Sequence, residues 1–588
     1  MTLSSGRWCR VPADFENPTV IRRSSVIPGL AVALLLGSAL AAQEAESPFF
    51  EVVDVNVVNI EVFVTDKKGN PVSGLVREDF EVYEDGRRVL ITNFSAVADG
   101  RPVRAIESVP PDRLNQAETK GEIAQAPDPR RPLIPLQEVP EAQRLHLVVY
   151  IDNFNIEPFH RNRVFNRLRE FLLQLERSDR VMLVSYDRTL NIRHRFTDNP
   201  RLIAATLNEL EKLTGFRLQA NRERRDILRA IDNADSPERV MLRTRQHASS
   251  VASDLRFTLA AMRDTVQSLS GLPGRKALLY ASDGLPMVPA RDLFFVIRQK
   301  FQYMSAVLES QDFDATRQFK ELANQANAAG VTFYTIDASG LQSLTAGDAE
   351  NARASSIDGG GAFADSLNLS NLQSSIQFIA ERTGGTAIVN TNDIGRGLES
   401  VASDFKNYYS LGYSPSGAGD GRFHEVEVKT LEKRFNVRHR AGYRDKSLSQ
   451  RMSERTVSSL RHGYQVNPLD VRLSVGEPSV HQDNFAAPFL IQIPLEKIVL
   501  VPRGTLYQGR VRIYFTAMDE RGGIAEVQQD QISIEIPTQD FETAQNKHYA
   551  YEASLLLRRG RHIVGVGIQD EYGTAASFVS QSVDAGSG

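Results

Sequence analysis

The feature that most constrains this chain is a series of short, largely apolar segments between residues 147 and 389, the first of which is continuously apolar. Segments of this kind are typical of strands buried on both faces of a parallel sheet. Between them lie stretches in which apolar residues recur with helical spacing. An example is Val164, Leu168 and Phe171, after the first segment. Strands that alternate with helices predict an α/β, doubly wound, mostly parallel sheet over residues 144–410. The apolar segments are residues 147–151, 181–184, 277–280, 331–336 and 386–389.

Composition limits the class of protein. A chain of 588 residues, at about 150 residues per domain, favours three or four domains. Its composition, 41% hydrophobic and 24% charged, is ordinary for a globular protein. The hydrophobic residues are numerous enough for several cores. The formal net charge of -4 gives no general attraction to nucleic acid. The single cysteine, Cys9, excludes a disulfide framework and a cysteine-based metal site.

The N-terminal residues predict export. Arg22 and Arg23 precede an apolar run over residues 26–42, which contains the small-residue pattern Ala39-Leu40-Ala41. We interpret residues 1–42 as a signal peptide, with an uncleaved membrane anchor as the alternative. No second apolar stretch is long enough to span a membrane, so we expect a periplasmic or extracellular protein.

The flanking regions show β patterns. Alternating apolar residues predict a small β-sandwich domain over residues 48–97 and a β hairpin extension over 411–445. Residues 98–143 are rich in proline and charge, which indicates a linker. Residues 465–583 predict a second, C-terminal β-sandwich domain. Gly565 and Gly567 lie within a strand pattern there and indicate close packing.

Carboxylates follow four of the predicted strands, and ligands bind beyond the carboxyl ends of strands in open α/β sheets. Such acids suit a hard cation such as Mg²⁺, although Asp at these positions also caps the following helix. His146, His160 and His194 have no metal-ligand spacing, so we interpret each as a surface or packing residue. The four acids are Asp152, Asp187, Asp283 and Asp337.

Around these residues the chain resembles a von Willebrand factor A domain. The resemblance rests on the strand that ends in Asp152, the Ser-Asp-Arg-Val sequence at 178–181 and the Ala-Ser-Asp-Gly sequence at 281–284. Residues 64–86 and 408–443 are similar to the opening and closing motifs of bacterial von Willebrand factor A-related proteins. The resemblance covers about residues 50–445 and implies an adhesion or assembly module.

Many domains of that family hold a divalent ion in a D-x-S-x-S adhesion site with a distant Thr and a distant Asp. Asp152 and Asp283 match the two Asp positions, and Thr214 is a poor counterpart of the Thr. Phe154 and Ile156 replace both serines and cannot bind a cation. With Asn153 and Asn155 as replacement oxygens, the resemblance implies a degenerate site that binds Mg²⁺ weakly.

The preferred hypothesis is therefore an exported binding protein, not an enzyme, that recognises a protein partner at the ends of its strands. Asp152, Asp283 and Asp337 are the predicted partner-binding residues, and we expect Asp152→Ala to weaken binding without changing thermal stability. A metal-dependent envelope hydrolase and a structural spacer without a metal are the alternatives. The sequence leaves the oligomeric state and the partner open.

Overall fold

The computed structural model describes residues 57–103, 144–176, 178–341, 360–415, 417 and 419–586. They form two compact units, with the boundary between Ser447 and Leu448. The predicted signal peptide lies outside the described residues. Within the described part of the chain, no helix is long and apolar enough to cross a membrane.

The first unit begins with five short strands. Along the longer of these strands, every second side chain faces a common core. In the first strand, Ile60, Val62 and Val64 are buried, as the period of two requires. Asp85 and Gly86 have positive φ in a tight turn between the second and third strands. The strands are β1 (Val58–Thr65), β2 (Phe80–Glu84), β3 (Arg87–Val89), β4 (Asn93–Ala98) and β5 (Arg101–Val103).

The start of the predicted linker needs correction. Residues 101–103 are strand β5, which pairs with β4, because the Asp99-Gly100 turn returns the chain beside its own strand. The rest of the predicted linker, residues 104–143, lies outside the described residues.

A six-stranded sheet forms the centre of the first unit. Five strands are parallel and β8 is an antiparallel edge strand, so the predicted mostly parallel sheet is confirmed in part and is mixed. The order across the sheet is β11-β10-β9-β6-β7-β8. The strands are β6 (Leu145–Asp152), β7 (Arg180–Tyr186), β8 (Leu190–Thr197), β9 (Arg275–Ser282), β10 (Val331–Asp337) and β11 (Ala387–Ile388).

Helices cover both faces of this sheet, because alternate residues of each central strand point to opposite sides. Leu147 and Val149 of β6 pack in one core, and Val148 and Tyr150 pack in the other. The helices are α1 (Pro158–Leu172), α2 (Pro200–Leu210), α3 (Arg217–Asp232), α4 (Pro237–Leu269), α5 (Arg291–Phe301), α6 (Ser305–Gln311), α7 (Thr316–Ala329), α8 (Gly360–Arg382) and α9 (Ile394–Lys406).

The helices divide among three cores. Side chains of α1, α2 and α9 pack in the first core, and side chains of α4, α7 and α8 pack in the second. A third core joins α3, α5 and α6 to the N-terminal half of α4. Residues 360 and 361, both glycine, begin α8.

After α9 the chain returns to β structure, and its strands complete the sheets that β1 to β5 begin. β1 pairs with β12 and β14, and β2 pairs with β13. The residues predicted as a separate sandwich and a hairpin extension therefore build one β domain of two facing sheets around a common core. The added strands are β12 (Tyr408–Tyr413), β13 (Phe423–Thr430), β14 (Asn436–His439) and β15 (Gly442–Arg444).

The second unit consists of two antiparallel sheets around one core, with an additional helix, α10, against the strands β20, β23 and β24. The sequence predicts the strands there and misses α10. The elements are α10 (Leu448–His462), β16 (Arg472–Val475), β17 (Ser479–His481), β18 (Asn484–Pro494), β19 (Val501–Arg503), β20 (Leu506–Asp519), β21 (Gln528–Pro537), α11 (Phe541–Gln545), β22 (His548–Leu557), β23 (Gly560–Asp570) and β24 (Ala576–Ala585).

Candidate functional site

The carboxyl ends of the parallel strands meet at one edge of the central sheet, as in other open α/β sheets. The strand register pairs Ile151 with Ala281, and Asp337 with Ser282. This brings Asp152, Asp283 and Asp337 to the same edge, where all three are buried. We call the surface above the ends of β6, β7, β9 and β10 the strand-end face.

Asp152 is fully buried, and both of its carboxylate oxygens accept hydrogen bonds. Asn155 donates from its main-chain N–H to Oδ1 at 3.0 Å and from Nδ2 to Oδ2 at 2.9 Å. The hydroxyl of Tyr280 donates to Oδ2 at 2.5 Å. Burial raises the pKa of Asp152, and these donors act in the opposite direction. The carboxylate therefore organises the loop after β6.

Asp283 is bound by the start of helix α1. The main-chain N–H of Glu157 donates to its Oδ2 at 2.8 Å, and His160 Nδ1 lies 3.0 Å from its Oδ1. Burial lowers the pKa of His160, but the hydrogen bond and the charge of Asp283 outweigh it, so the pKa is raised overall. A helix N-terminus and an imidazole thus provide the positive potential that a metal would otherwise supply.

Asp337 has its own donors. Ser339 donates to Oδ1 from its main-chain N–H at 2.9 Å and from its hydroxyl at 2.6 Å. Gln373 Nε2 donates to Oδ2 at 2.7 Å. Burial raises the pKa of Asp337, and the nearby charge of Asp283 adds to that shift. Asp337 is therefore satisfied within the protein.

The two asparagines are also engaged. Asn153 donates to the main-chain oxygen of Thr214 at 3.0 Å, and its Oδ1 accepts from the buried guanidinium of Arg161. The main-chain oxygen of Asn155 accepts from the N–H of Asp283 at 3.0 Å. Both residues connect segments of the loop, and Asn155 directs its amide nitrogen to Asp152.

The residues predicted to hold Mg²⁺ do not fit the ion. A hard cation needs several oxygens free to converge on it. Here the carboxylates of Asp152 and Asp283 accept donors at both oxygens, and Ile156, where the D-x-S-x-S pattern has a serine, is fully buried in the core. The geometry of these residues corresponds to a hydrogen-bonded loop, not to a metal centre.

The acids predicted to contact a partner lie beneath the surface. Asp152 is fully buried, and Asp283 and Asp337 are nearly so. The fourth strand-end acid, Asp187, accepts from Asn191 at 2.7 Å within the β7–β8 hairpin. Contacts on this face must come from the residues that cover the acids.

Aromatic side chains and an arginine cover this part of the face. The rings of Phe154 and Phe216 lie 5.6 Å apart, and the guanidinium carbon of the exposed Arg188 is 5.2 Å and 5.7 Å from their centroids. Phe159, in the first turn of α1, is 76% exposed and Phe216 is 39% exposed. A Cβ on Gly215 would lie 3.0 Å from Pro158 Cδ, so the loop that carries Phe216 passes close to the start of α1. We call Phe154, Phe159, Phe216 and Arg188 the aromatic surface.

Ser282 gives no indication of nucleophilic catalysis at this edge. Its hydroxyl donates to the main-chain oxygen of Asn155 at 3.2 Å and accepts from the N–H of Gly284 at 3.1 Å. A serine nucleophile would instead donate to a general base. Ser282 therefore shapes the turn after β9.

No family model and no curated protein matches the sequence. Solved structures resemble the chain at low scores. A pilus adhesin, SpaC from Lactobacillus rhamnosus GG, is 8% identical over 75% of this chain and 52% of its own, with a TM-score of 0.25. A von Willebrand factor type A protein from Catenulispora acidiphila is 8% identical over 75% and 66%, with a TM-score of 0.20. BatB from Bacteroides thetaiotaomicron is 8% identical over 45% and 96%, with a TM-score of 0.21. At these scores, function must be inferred from the site itself.

Sequence reasoning missed two groups of residues. The aromatic surface combines loops that are about sixty residues apart, and its only local signal is a phenylalanine where the family pattern has serine. A second group, Asp420, His424 and Asp445, lies in the β domain away from the strand-end face and is the only such His and Asp/Glu cluster among the described residues. Strand pairing brings it together, so spacing along the chain gives no sign of it.

Proposed function

We propose that this is an exported binding protein, related to von Willebrand factor A domains, that recognises a protein partner through its aromatic surface without a metal. The observation that carries the proposal is the exposed Phe216 against Arg188, with the exposed Phe159 in the first turn of the neighbouring helix α1, above acids that are already satisfied. Aromatic residues and arginine are enriched at the energetic centres of protein interfaces.

The chemistry of the surface indicates the kind of partner. Phenylalanine rings bury large apolar areas at low entropic cost, and the guanidinium of Arg188 can pair with a carboxylate in a fixed geometry. We therefore propose a partner that presents apolar side chains next to an acidic group. Binding proceeds without chemistry on the partner, which makes the protein a recognition module and not an enzyme.

The test is affinity capture from an envelope extract with the wild type, Phe159→Ala and Phe216→Ala. Loss of an interface centre costs about 2 kcal/mol or more, which is roughly a 30-fold loss of affinity. Leu431→Ala is the matched control, because Leu431 is also an exposed apolar residue, at 60%, but lies in the β domain. Chelator should leave capture through the aromatic surface unchanged.

Two results would contradict the proposal. Capture that survives both phenylalanine substitutions would exclude the aromatic surface. If chelator abolishes capture by both the wild type and Leu431→Ala, the partner binds through a metal-dependent contact elsewhere.

A further inference from the structure

Three side chains of the β domain converge where β13 begins and β15 ends. One ligand atom from each of Asp420, His424 and Asp445 lies within 4.8 Å of the others. His424 and Asp445 are buried, and Asp420 is exposed. The cluster is independent of the strand-end face and of the function proposed for it.

Antiparallel pairing creates this arrangement. His424 pairs with Tyr443 across β13 and β15, and their rings stack at 5.4 Å. Just beyond the last paired residues, the main-chain N–H of Gly421 donates a hydrogen bond of 2.7 Å to the main-chain oxygen of Asp445. This fixes Asp445 beside the segment that carries Asp420.

The imidazole of His424 is oriented from outside the cluster. Its Nδ1 lies 2.8 Å from Oδ2 of Asp85, whose Oδ1 accepts the N–H of Glu425 at 2.9 Å. With the proton on Nδ1, the lone pair of Nε2 faces Asp420 Oδ1 at 3.4 Å. Histidines that bind metals have this arrangement, with a carboxylate on the opposite ring nitrogen.

Gly417 faces the point on which the three side chains converge. A Cβ placed on this glycine would be 2.8 Å from Asp445 Oδ2, and 3.7 Å from both His424 Nε2 and Asp420 Cγ. Any larger residue at 417 would fill the point on which the three groups converge. Glycine keeps that point open.

We propose that Asp420, His424 and Asp445 bind a divalent transition-metal ion of the Zn²⁺ class, with Asp85 orienting the histidine. Imidazole nitrogen with carboxylate oxygens suits Zn²⁺ better than Mg²⁺ or Ca²⁺. The 3.4 Å between Nε2 and Oδ1 is the edge of a tetrahedron with metal–ligand bonds of about 2.1 Å. Two carboxylates neutralise the ion, and water completes the tetrahedron.

The ion would fasten the segment between β12 and β13 to the end of β15. This segment is rich in glycine, and Gly419 donates its N–H to Asp445 Oδ2 at 2.8 Å. Metal binding at such a place couples to folding, because the ligands come together only in the native state. The site therefore stabilises the β domain in the exported protein.

Calorimetric titration of the metal-free, untagged protein with ZnCl₂ tests the proposal. The wild type should bind one zinc ion, and Co²⁺ in its place should give the visible absorption of a tetrahedral site. Asp420→Asn should lower zinc affinity at least tenfold, while Asp226→Asn, which changes an exposed acid on α3, should bind like the wild type. Asp85→Asn should lower affinity by about 10–100-fold.

Gly417→Ala is the most selective variant, since it retains every ligand and places a methyl group at the point on which they converge. Its φ lies outside the left-handed region, so the backbone accepts alanine, while the Cβ, 2.8 Å from Asp445 Oδ2, would displace that carboxylate. Zinc binding should be lost while circular dichroism matches the wild type. If the wild type binds no zinc, or if Asp420→Asn binds as tightly as the wild type, the proposal is wrong and a protonated His424 bridges Asp85 and Asp420 instead.

Discussion

At the scale of single residues, the acids at the strand ends hold the loops of the α/β domain in place. Asp152 accepts three hydrogen bonds from Asn155 and Tyr280 in a site without water access. A buried carboxylate of this kind is favourable only while its donors remain. The position that resembles a metal ligand has therefore become a structural hydrogen-bond acceptor.

Substitution of Asp152 tests this role. Asp152→Ala removes the acceptor of all three bonds and leaves buried donors unsatisfied, so it should lower the free energy of unfolding by about 2–3 kcal/mol. This replaces the sequence-based expectation of unchanged stability. Urea denaturation measures the change, with Asp226→Ala as the exposed control. An unchanged midpoint in Asp152→Ala would show that the network contributes nothing to stability.

The sequence places these acids at one edge of the sheet correctly, because parallel strands align their carboxyl ends. It does not reveal which groups occupy the carboxylate oxygens. The hydrogen bond from Tyr280 to Asp152 joins residues that are 128 positions apart in the chain. His160 reaches Asp283 because α1 begins beside β9, and spacing alone gives no sign of that pair.

At the scale of elements, helix α10 packs closely on β23. A Cβ on Gly567 would lie 2.2 Å from Thr456 Oγ1, and one on Gly565 would lie 3.2 Å from Leu460. The sequence indicates close packing from the glycines in the strand pattern, and the structure confirms it. The helix that approaches them was missed.

This contact predicts a rescue between two substitutions. Gly567→Ala should lower the free energy of unfolding by about 1–3 kcal/mol, because the added methyl group overlaps the threonine hydroxyl. Thr456→Ala removes that hydroxyl, so the double variant should recover part of the loss. Thermal denaturation of the four proteins measures the coupling. Strictly additive effects would mean that the two residues do not compete for the same space.

Strand β8 shows how an element can be missed although its pattern is present. Leu190, Ile192, His194 and Phe196 alternate with polar residues, as in a half-exposed edge strand. Charged residues among them hide the alternation beside the continuous apolar runs of the central strands. The antiparallel edge strand is therefore recognised from its pairing with β7 in the structure and not from the sequence.

At the scale of the molecule, the β domain is made from two segments that flank the α/β domain in sequence. β12 lies between β1 and β4, so neither segment has a complete sheet without the other. Charged side chains fasten this domain to the α/β domain. Arg438 of β14 donates to both carboxylate oxygens of Asp404 in α9, at 2.7 Å and 2.8 Å.

Cleavage of the chain tests this interdependence. A protease recognition sequence inserted between residues 104 and 143 should allow cutting that leaves the two products together, because β1 and β4 remain paired with β12. Size-exclusion chromatography should show co-elution under native conditions and separation in denaturant. Separation under native conditions would mean that the first segment folds independently.

The sequence by itself determined the alternation of strands and helices, the β character of the flanking regions and the edge at which the acids collect. These properties follow from hydrophobic periodicity, which acts over a few neighbouring residues. Tertiary structure decided the rest: the joining of two distant segments into one β domain, the donors that satisfy Asp152 and Asp283, and the convergence of Asp420, His424 and Asp445. Each of these depends on strand pairing or helix docking between residues far apart in the chain, because hydrogen bonds and burial are set by distance in space and not by spacing in sequence.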